Sequence, residues 1–487
     1  MNIFARVKEF FMNLFKTDVK SEFDVNIISS ELVEIAQDQW QNIIQGRPFW
    51  VGEHIRTINF AKFLCYYTAK KTTIDLKVDI HGSERADYIN QCIQAMVDKS
   101  LRDKVEDACG LGGIIFKPTG TYNPAGAIDY ILPGNYIITE KNSNGDIRGI
   151  IFISRLIKGD DYYTRLEYHH FIASGSEEEP ETLYAMENKA YKSNRKDALG
   201  RKIKLDDVPE WANIEENYVI ENVQEPLFGY FKMPYNNTID YTSPEGVSMF
   251  ANCIEELKDL DVAWTRKGDE GYDSQHMTFI DDNALMRTDP KTGVKNRIGL
   301  PRFVKGLKNG IDAQNTVQEH VPTMLTDERI KDINSILSMI STKAGFSQGQ
   351  FILDRKTGNI TATQIESDDS ETVETINDIR KNLQEAIKSL IYALDVYCDV
   401  FFDMPNGYVN VLDDDVPGEN VFYFKDLLAS FEQDRTRAYQ LMLQGVYSKR
   451  RYLKEYEGLS DEEIDDMFAE CDAERAAQEG LFAEESR

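Results

Sequence analysis

Apolar positions switch period along this chain: steps of three or four up to about residue 110, steps of two from Ala127 to Ile172, then steps of three or four again from Val247. In the last of these regions Val247, Phe250, Ile254, Leu257, Leu260 and Trp264 form one helical stripe, while Asn252, Glu255, Asp259 and Arg266 lie on another face. Ser243 as N-cap, Pro244 at the first helical position and Glu245 in the first turn predict where this helix starts. A second helix is predicted from Thr326 as N-cap, with Asp327 and Glu328 in its first turn, Ile330, Ile333, Leu337 and Ile340 inside, and Gly345 at its end. The third is the longest. Thr361-Ala-Thr-Gln364 matches a capping box, and Val373, Ile376, Ile379, Leu383, Ile387, Leu390, Leu394, Tyr397 and Phe401 keep helical spacing to Met404-Pro405. At 1.5 Å per residue it would be on the order of 60 Å long. Its stripe mixes steps without a sustained heptad, which argues against a coiled coil.

The N-terminal part reads as mostly helical from residue 23 to 110. Helices are predicted over Ile27–Ile44, ending at Gly46-Arg-Pro48, over His54–Lys71 and over Arg85–Cys109. Gly110-Leu-Gly-Gly113 breaks the pattern and leads into a buried strand, Ile114–Lys117; without a lysine-plus-hydroxyl pattern these glycines read as a structural turn, not a phosphate loop. Strands follow at Ile128–Leu132, Tyr136–Glu140, Ile147–Arg155 and Tyr162–Phe171, with turns at Pro133-Gly134 and Asn144-Gly145. Glu177–Glu179 and Lys192–Lys204 are polar excursions.

Between the first two predicted helices, residues 273–325 mix short strands and turns and are too few for a free-standing core. Phe346–Ile360 is a loop with two internal glycines and a basic tip at Arg355-Lys356. After the long helix come a strand, Tyr408–Leu412, an acidic Asp413-Asp-Asp415, and helices at Lys425–Leu443, Ser448–Tyr456 and Ser460–Ala477. Helical and strand-rich segments that are separate along the chain make the fold class α+β.

Charge then narrows the function. Of 487 residues, 83 are acidic and 55 basic, a net charge of −28, which argues against a protein that grips nucleic acid through phosphate contacts but not against one through which DNA slides. Six scattered cysteines without a CxxC pair or Cys-His metal spacing read as free thiols. Apolar runs fall short of the roughly 20 residues that span a bilayer. Met1–Lys16 lacks the long apolar centre of a signal peptide; it is amphipathic, with Ile3, Phe4, Val7, Phe10, Phe11, Leu14 and Phe15 against Arg6, Lys8 and Lys16. Such a helix could lie on a membrane, and docking onto protein is the preferred reading.

Catalytic sets are hard to find. Asp413–Asp415 and Asp368-Asp369 resemble fragments of a two-metal nuclease site, but adjacent carboxylates on a helix diverge and no third partner can be placed. Tyr168-His169-His170 does not predict one metal, because neighbouring side chains on a strand point to opposite faces. Neither GxSxG nor a Walker motif occurs. The expectation is a non-enzyme without cofactor or metal; the alternative is an acidic-site DNA-packaging nuclease.

FKMPYNNTID-YTSPEGVSMFANCIEELKDLD resembles the signature of bacteriophage portal proteins, where the wing domain closes and the first stem helix opens. KTGNITATQIESDDSETVETINDIRKNLQEAI is similar to the tunnel-loop junction of siphophage-type portals, and YVNVLDDDV…LMLQGVYSKRRYLKEYEGLSDEEIDDMFAE looks like the same branch. The resemblance implies a wing (1–242), first stem helix (243–272), clip (273–325), second stem helix (326–345), tunnel loop (346–360), long kinked wing helix (361–404) and a helical crown (405–487) shorter than usual. It further implies a ring of about twelve subunits at a capsid vertex of the virion, which passes duplex DNA during packaging and ejection. Its partners would be the terminase large subunit, a head–tail connector, and the major capsid and scaffolding proteins, with no membrane. Under this reading Gln350, Arg355, Lys356 and Asn359 of the tunnel loop meet DNA, and Asn252, Glu255, Asp259 and Arg266 line the channel. Arg287, Lys291, Lys295 and Arg297 of the clip would meet docking partners.

Overall fold

A computed structural model describes residues 15–80, 83–175, 180–196, 198–273, 277–281, 286–297, 304–307, 317–320, 324–353, 370–404, 422–424, 438–456, 464–465 and 467–469. The chain divides into two compact units, 1–425 and 426–487. The first is mixed α+β, as the alternation of periods predicts.

Its helices begin with α1 (15–23), α2 (Glu31–Ile44) and α3 (Phe60–Thr73), then α4 (Glu84–Lys99) and α5 (Leu101–Leu111). The single helix expected over Arg85–Cys109 is thus two, parted at Ser100, whose backbone leaves the helical region at φ −136 and ψ −19. The predicted His54–Lys71 helix starts only at Phe60, because 50–58 is tied along another helix, as described below. Strand β1 (Lys77–Val78) precedes α4; β2 (Gly113–Pro118) and β3 (Ile128–Ile131) follow α5. Next come β4 (Tyr136–Lys141), β5 (Ile147–Lys158), β6 (Asp161–Gly175), β7 (Pro180–Ser193), β8 (Arg201–Ile203), β9 (Asn217–Ile220) and β10 (Gly229–Lys232). β4 to β8 form an antiparallel sheet in that order, with β9 also pairing β7; β10, β2 and β3 form a second sheet with β2 central.

Successive side chains point to opposite faces of the larger sheet, and both faces bury apolar groups. Ile137, Ile151, Ile153, Leu166 and Tyr168 pack with Phe15 and Val19 of α1, so the described end of the N-terminal amphipathic segment docks onto protein. The alternate residues Tyr136, Ile138, Ile150 and Phe152 pack on Ile115 of β2 and Phe228. The outer edge of β4 is covered by 28–29, with Ile28 N donating to Ile138 O at 2.8 Å and Ile138 N to Ser29 Oγ at 2.8 Å.

The long helix is described from Ser370 to Phe402, about 50 Å at 1.5 Å per residue; its predicted start at Thr361 lies outside the described residues. Ile376, Ile379, Leu383, Ile387, Leu390, Leu394 and Tyr397 are buried, as the stripe requires. It presses so closely on β10 that a Cβ on Gly229 would stand 2.0 Å from Ala386 O. Two arginines fix its ends to earlier helices. Arg380 donates to the Lys71 and Thr72 carbonyls at the C-terminus of α3, and Arg85 of α4 pairs with Asp395 and Asp399, each at 3.0 Å.

Four charged or polar groups are buried together between the two sheets. Lys117 Nζ lies 2.5 Å from Glu167 Oε2, Arg165 3.1 Å from the same oxygen, and His169 Nε2 2.9 Å from Oε1, while His169 Nδ1 meets Tyr184 OH at 2.9 Å. Glu167 and His169 share one strand face; His170, on the other, stacks on Tyr168. Burial alone would raise the Glu167 carboxyl, but Lys117, Arg165 and His169 outweigh it and hold it well below 4.5. Burial keeps His169 below 6.5 against the pull of Glu167.

In the second unit, the predicted Ser448–Tyr456 helix is Lys449–Tyr456. A turn of helix at 438–443 precedes it, and Tyr439 and Tyr452 meet at 5.8 Å. Asp368-Asp369, Asp413–Asp415, the 408–412 strand and most of the predicted 460–477 helix lie outside the described residues.

The buried quartet sets an acid limit on stability. Glu167 contributes stability that is present above about 4.5 and lost as pH falls toward its lower folded value, and His169 adds loss below about 6.5, since its unfolded form takes the proton first. Glu167→Gln is expected to cost on the order of 3–5 kcal/mol at pH 7, by leaving two buried cations short of a counter-charge, and to flatten the acid limb. Urea midpoints from pH 3 to 8 check both.

Candidate functional site

Two antiparallel helices, Ile254–Asp273 (α6) and Thr326–Lys343 (α7), carry the segment between them at their free end. Their direction follows from ion pairs at both ends: Glu256 with Lys343 at 2.5 Å, and Glu270 with Arg329 at 3.0 Å. The Leu325 amide also donates to Glu270 at 2.8 Å; that bond and Arg329 hold the Glu270 carboxyl below its ordinary range. Between the pairs Leu257 and Leu260 are buried, as are Ile333, Leu337 and Ile340 of α7.

The start of α6 corrects the expectation. Ser243-Pro244 does not open a helix; 3-10 turns at Ala251–Cys253 lead into Ile254. In 243–250 side chains bind the backbone instead: Asn237 Nδ2 donates to Glu245 O, Lys232 Nζ to Pro244 O, and the Gly246 amide to Tyr230 OH. A Cβ on Gly246 would stand 2.0 Å from Gly112 O, so two backbones cross where a helix has no room. Trp264 is the second correction. It is 36% exposed, with Lys267 Nζ 4.9 Å above its ring, whereas Leu257 is 3% exposed. Thr326 is the first helical residue and not the cap; Leu325 holds the flanking position.

What fills the Trp264 side of the stripe is Asp261, only 3% exposed. Its carboxylate accepts from Trp50 Nε1 at 2.8 Å and from the Ile58 amide at 3.0 Å, while Thr265 Oγ1 accepts from the Arg56 amide at 3.0 Å. Residues 50–58 are laced along α6 in this way. The stripe predicted to line a channel, Asn252, Glu255, Asp259 and Arg266, is exposed throughout.

At the tip of the pair, β11 (Met277–Asp281) pairs in parallel with β14 (Val304–Leu307) and antiparallel with β15 (Val317–His320). β12 (Met286–Thr288) and β13 (Lys295–Arg297) form a hairpin. Arg287, Lys291, Lys295 and Arg297 all fall on this one hairpin, with Lys291 exposed in its turn.

At the base, α7 stops at Gly345, which takes φ +79, and Phe346 N returns to Ser341 O. The segment then turns into a nest of rings. Phe351 meets Phe60, Phe63, Tyr67 and Phe346 at 5.3–5.9 Å. Gln350 Nε2 donates to Tyr67 OH at 2.7 Å, so the structure ties this predicted DNA contact to α3. The Ser347 amide donates to Thr372 of the long helix, and the Leu353 amide to Asn334 of α7. Arg355, Lys356 and Asn359 lie outside the described residues.

Among the described residues no three or more His, Cys, Asp or Glu side chains gather where they could hold a metal. No described helix is long and apolar enough to cross a membrane. The chain matches no family model and no curated protein.

The helix pair predicts contrasting substitutions. Leu257→Ala should lose about 2–5 kcal/mol, the usual cost of emptying a packed leucine site. Trp264→Ala should stay within about 1 kcal/mol, because much of its ring is already in water. Denaturant unfolding of both variants measures the difference.

Proposed function

We propose that this chain is the portal protein of a tailed phage: a ring-forming subunit around a channel for duplex DNA. The observation that carries the reading is the spatial order of its parts. An antiparallel helix pair stands on a sheet-and-helix body, bears a small β segment at its far end, and returns through an anchored loop to a long buried helix. This is the wing, stem, clip, stem, loop and wing-helix order implied by the sequence resemblance. The exposed stripe of α6, with Glu255 and Asp259, would face the lumen and repel phosphate, so the duplex slides instead of sticking. Screening over ~8 Å confines that repulsion to the channel wall. The cationic hairpin at the tip would meet the terminase large subunit or the head–tail connector, and the capsid and scaffolding proteins would surround the body. The carboxylates of the nuclease reading, Asp368-Asp369 and Asp413–Asp415, lie outside the described residues.

Electron microscopy of the purified full-length protein tests this. The expected images are closed rings of about twelve subunits with a central hole. Monomers or open aggregates at micromolar concentration would overturn the reading, and metal-dependent cleavage of duplex DNA without rings would support the nuclease. A second prediction concerns the loop tip. Arg355→Glu with Lys356→Glu is expected to leave rings intact and shorten the DNA packaged per capsid, since weak cationic contacts to the duplex are replaced by repulsion. Packaged length on a gel reads the outcome.

A further inference from the structure

Two surface patches of opposite sign lie at different places in the first unit, and each carries exposed apolar side chains. The first is the outer face of α3. Its inner face, with Ala61, Leu64, Cys65, Thr68, Ala69 and Thr72, is buried. Outward, Lys62, Tyr66 and Lys70 stand one turn apart, with Phe63 beside them. Phe63 is 47% exposed and Tyr66 45%, although the rings of Phe60, Tyr67 and Phe351 lie 5.6–6.3 Å from that of Phe63. Phe60–Thr73 contains three lysines and no acid. Lys71 is drawn over the Tyr67 ring at 5.8 Å, and the field of Lys62 reaches Glu106 of α5. Among the described residues neither Lys62 nor Lys70 is in an ion pair.

The second patch is the end of the larger sheet at β9. Segment 214–221 holds Glu215, Glu216 and Glu221, all exposed, and no base. Val219 stands opposite Ala185 of β7, and Ile172 of β6 opposite Leu183, so by alternation all four share one face. Val219 is 58% exposed and Ile172 39%. The other face is already taken: Tyr184, Tyr218 and Ile220 pack with Ala393, Tyr397 and Phe401 of the long helix.

Each patch therefore sits opposite a buried face and is not needed to close the chain's own core. The two cannot meet within one chain. α3 ends at Arg380 of the long helix, and β9 lies at Phe401, about 30 Å further along that helix at 1.5 Å per residue. A net charge of −28 makes two copies repel over most of their surface. A lysine stripe without acids is where they attract, and the acidic sheet end is its complement. The aromatic and aliphatic side chains supply the apolar contact between the charged rims.

We propose that the outer face of α3 binds the β9 end of the larger sheet of a second copy, head to tail. Each copy offers one patch of each kind, so every contact leaves a patch for the next copy, and the series closes where the rotation allows. The inference rests on the ring-forming reading above and gives that ring a subunit interface.

Engineered disulfides in the full-length protein test it. Tyr66→Cys with Val219→Cys, mildly oxidised and run without reductant, is expected to give a ladder of trimers and larger species, because a disulfide needs Cα atoms within about 7 Å. Either substitution alone, and the wild type with its own six cysteines, should give no such ladder. Charge supplies a second measurement. Lys62→Glu with Lys70→Glu should raise the protein concentration for half-assembly at least about tenfold, and adding Glu215→Lys with Glu221→Lys should bring it back toward the wild type. Electron microscopy of the same samples separates two failures. Rings without a ladder beyond dimers, or assembly unmoved by the lysine reversal, would overturn this interface and leave the ring reading standing. Wild-type protein without rings would overturn the ring reading and the interface with it.

Discussion

The burial of one long helix is the constraint on which the first unit depends. Ser370–Phe402 crosses β10 and β2 on one side and touches α3 and α4 on the other. That passage requires a strand without a side chain at Gly229, a cap for α3 from Arg380, and a counter-ion pair for Arg85. The helix also receives the base of the α6–α7 pair. Thr375 donates to Gly345 O and Thr372 meets Ser347, so the point where α7 ends is set by residues of the long helix. Change its position and the pair's exit from the body changes with it.

Electrostatics divides sharply between surface and interior. The chain as a whole carries a net charge of −28, and self-repulsion of that size opposes non-specific association. Inside, two of the groups of buried charge differ in how burial acts on their carboxylates. Around Glu167 two cations and an uncharged imidazole meet one carboxylate, and the carboxylate is held ionised. Around Glu245 the carboxylate accepts from the Ser30 amide and the Ser243 hydroxyl with the Lys232 ammonium nearby, and burial raises it to about 7. The first resists change over the physiological range and serves to join β2 to β6. The second lies in the range where a proton can come and go.

The helix pair combines both modes. Its ends are held by ion pairs that are partly in water and individually weak, its middle by leucines and isoleucines that are not. The lacing of 50–58 along α6 adds the Trp50, Arg56 and Ile58 donors, so Asp261 and Thr265 hold a third segment on that helix. A helix pair gains from such a buttress, because two helices alone bury little more than the seam between them.

Much of this was legible from periodicity alone. Period two placed β4 to β6 and their hairpin turns, since successive side chains of a strand point to opposite faces, and the apolar stripes placed the end of α6, both ends of α7 and the end of the long helix to within a few residues. Gly345 as a stop was readable because few other residues take a positive φ there. What local pattern could not decide were contacts made at a distance. Ser243-Pro244 has every local mark of a helix start, yet the crossing of Gly246 over Gly112 excludes a helix, and those residues are far apart in sequence. Trp264 falls on the stripe, but the position beside it was taken by Asp261, whose partners Trp50 and Ile58 come from the N-terminal part of the chain. Gln350 looked like a free loop amide and is bound to Tyr67 for the same reason. A charge or amide on an apolar face was the only signal for these, and it names no partner: periodicity reports which side of an element faces inward, and only the tertiary structure decides what stands opposite.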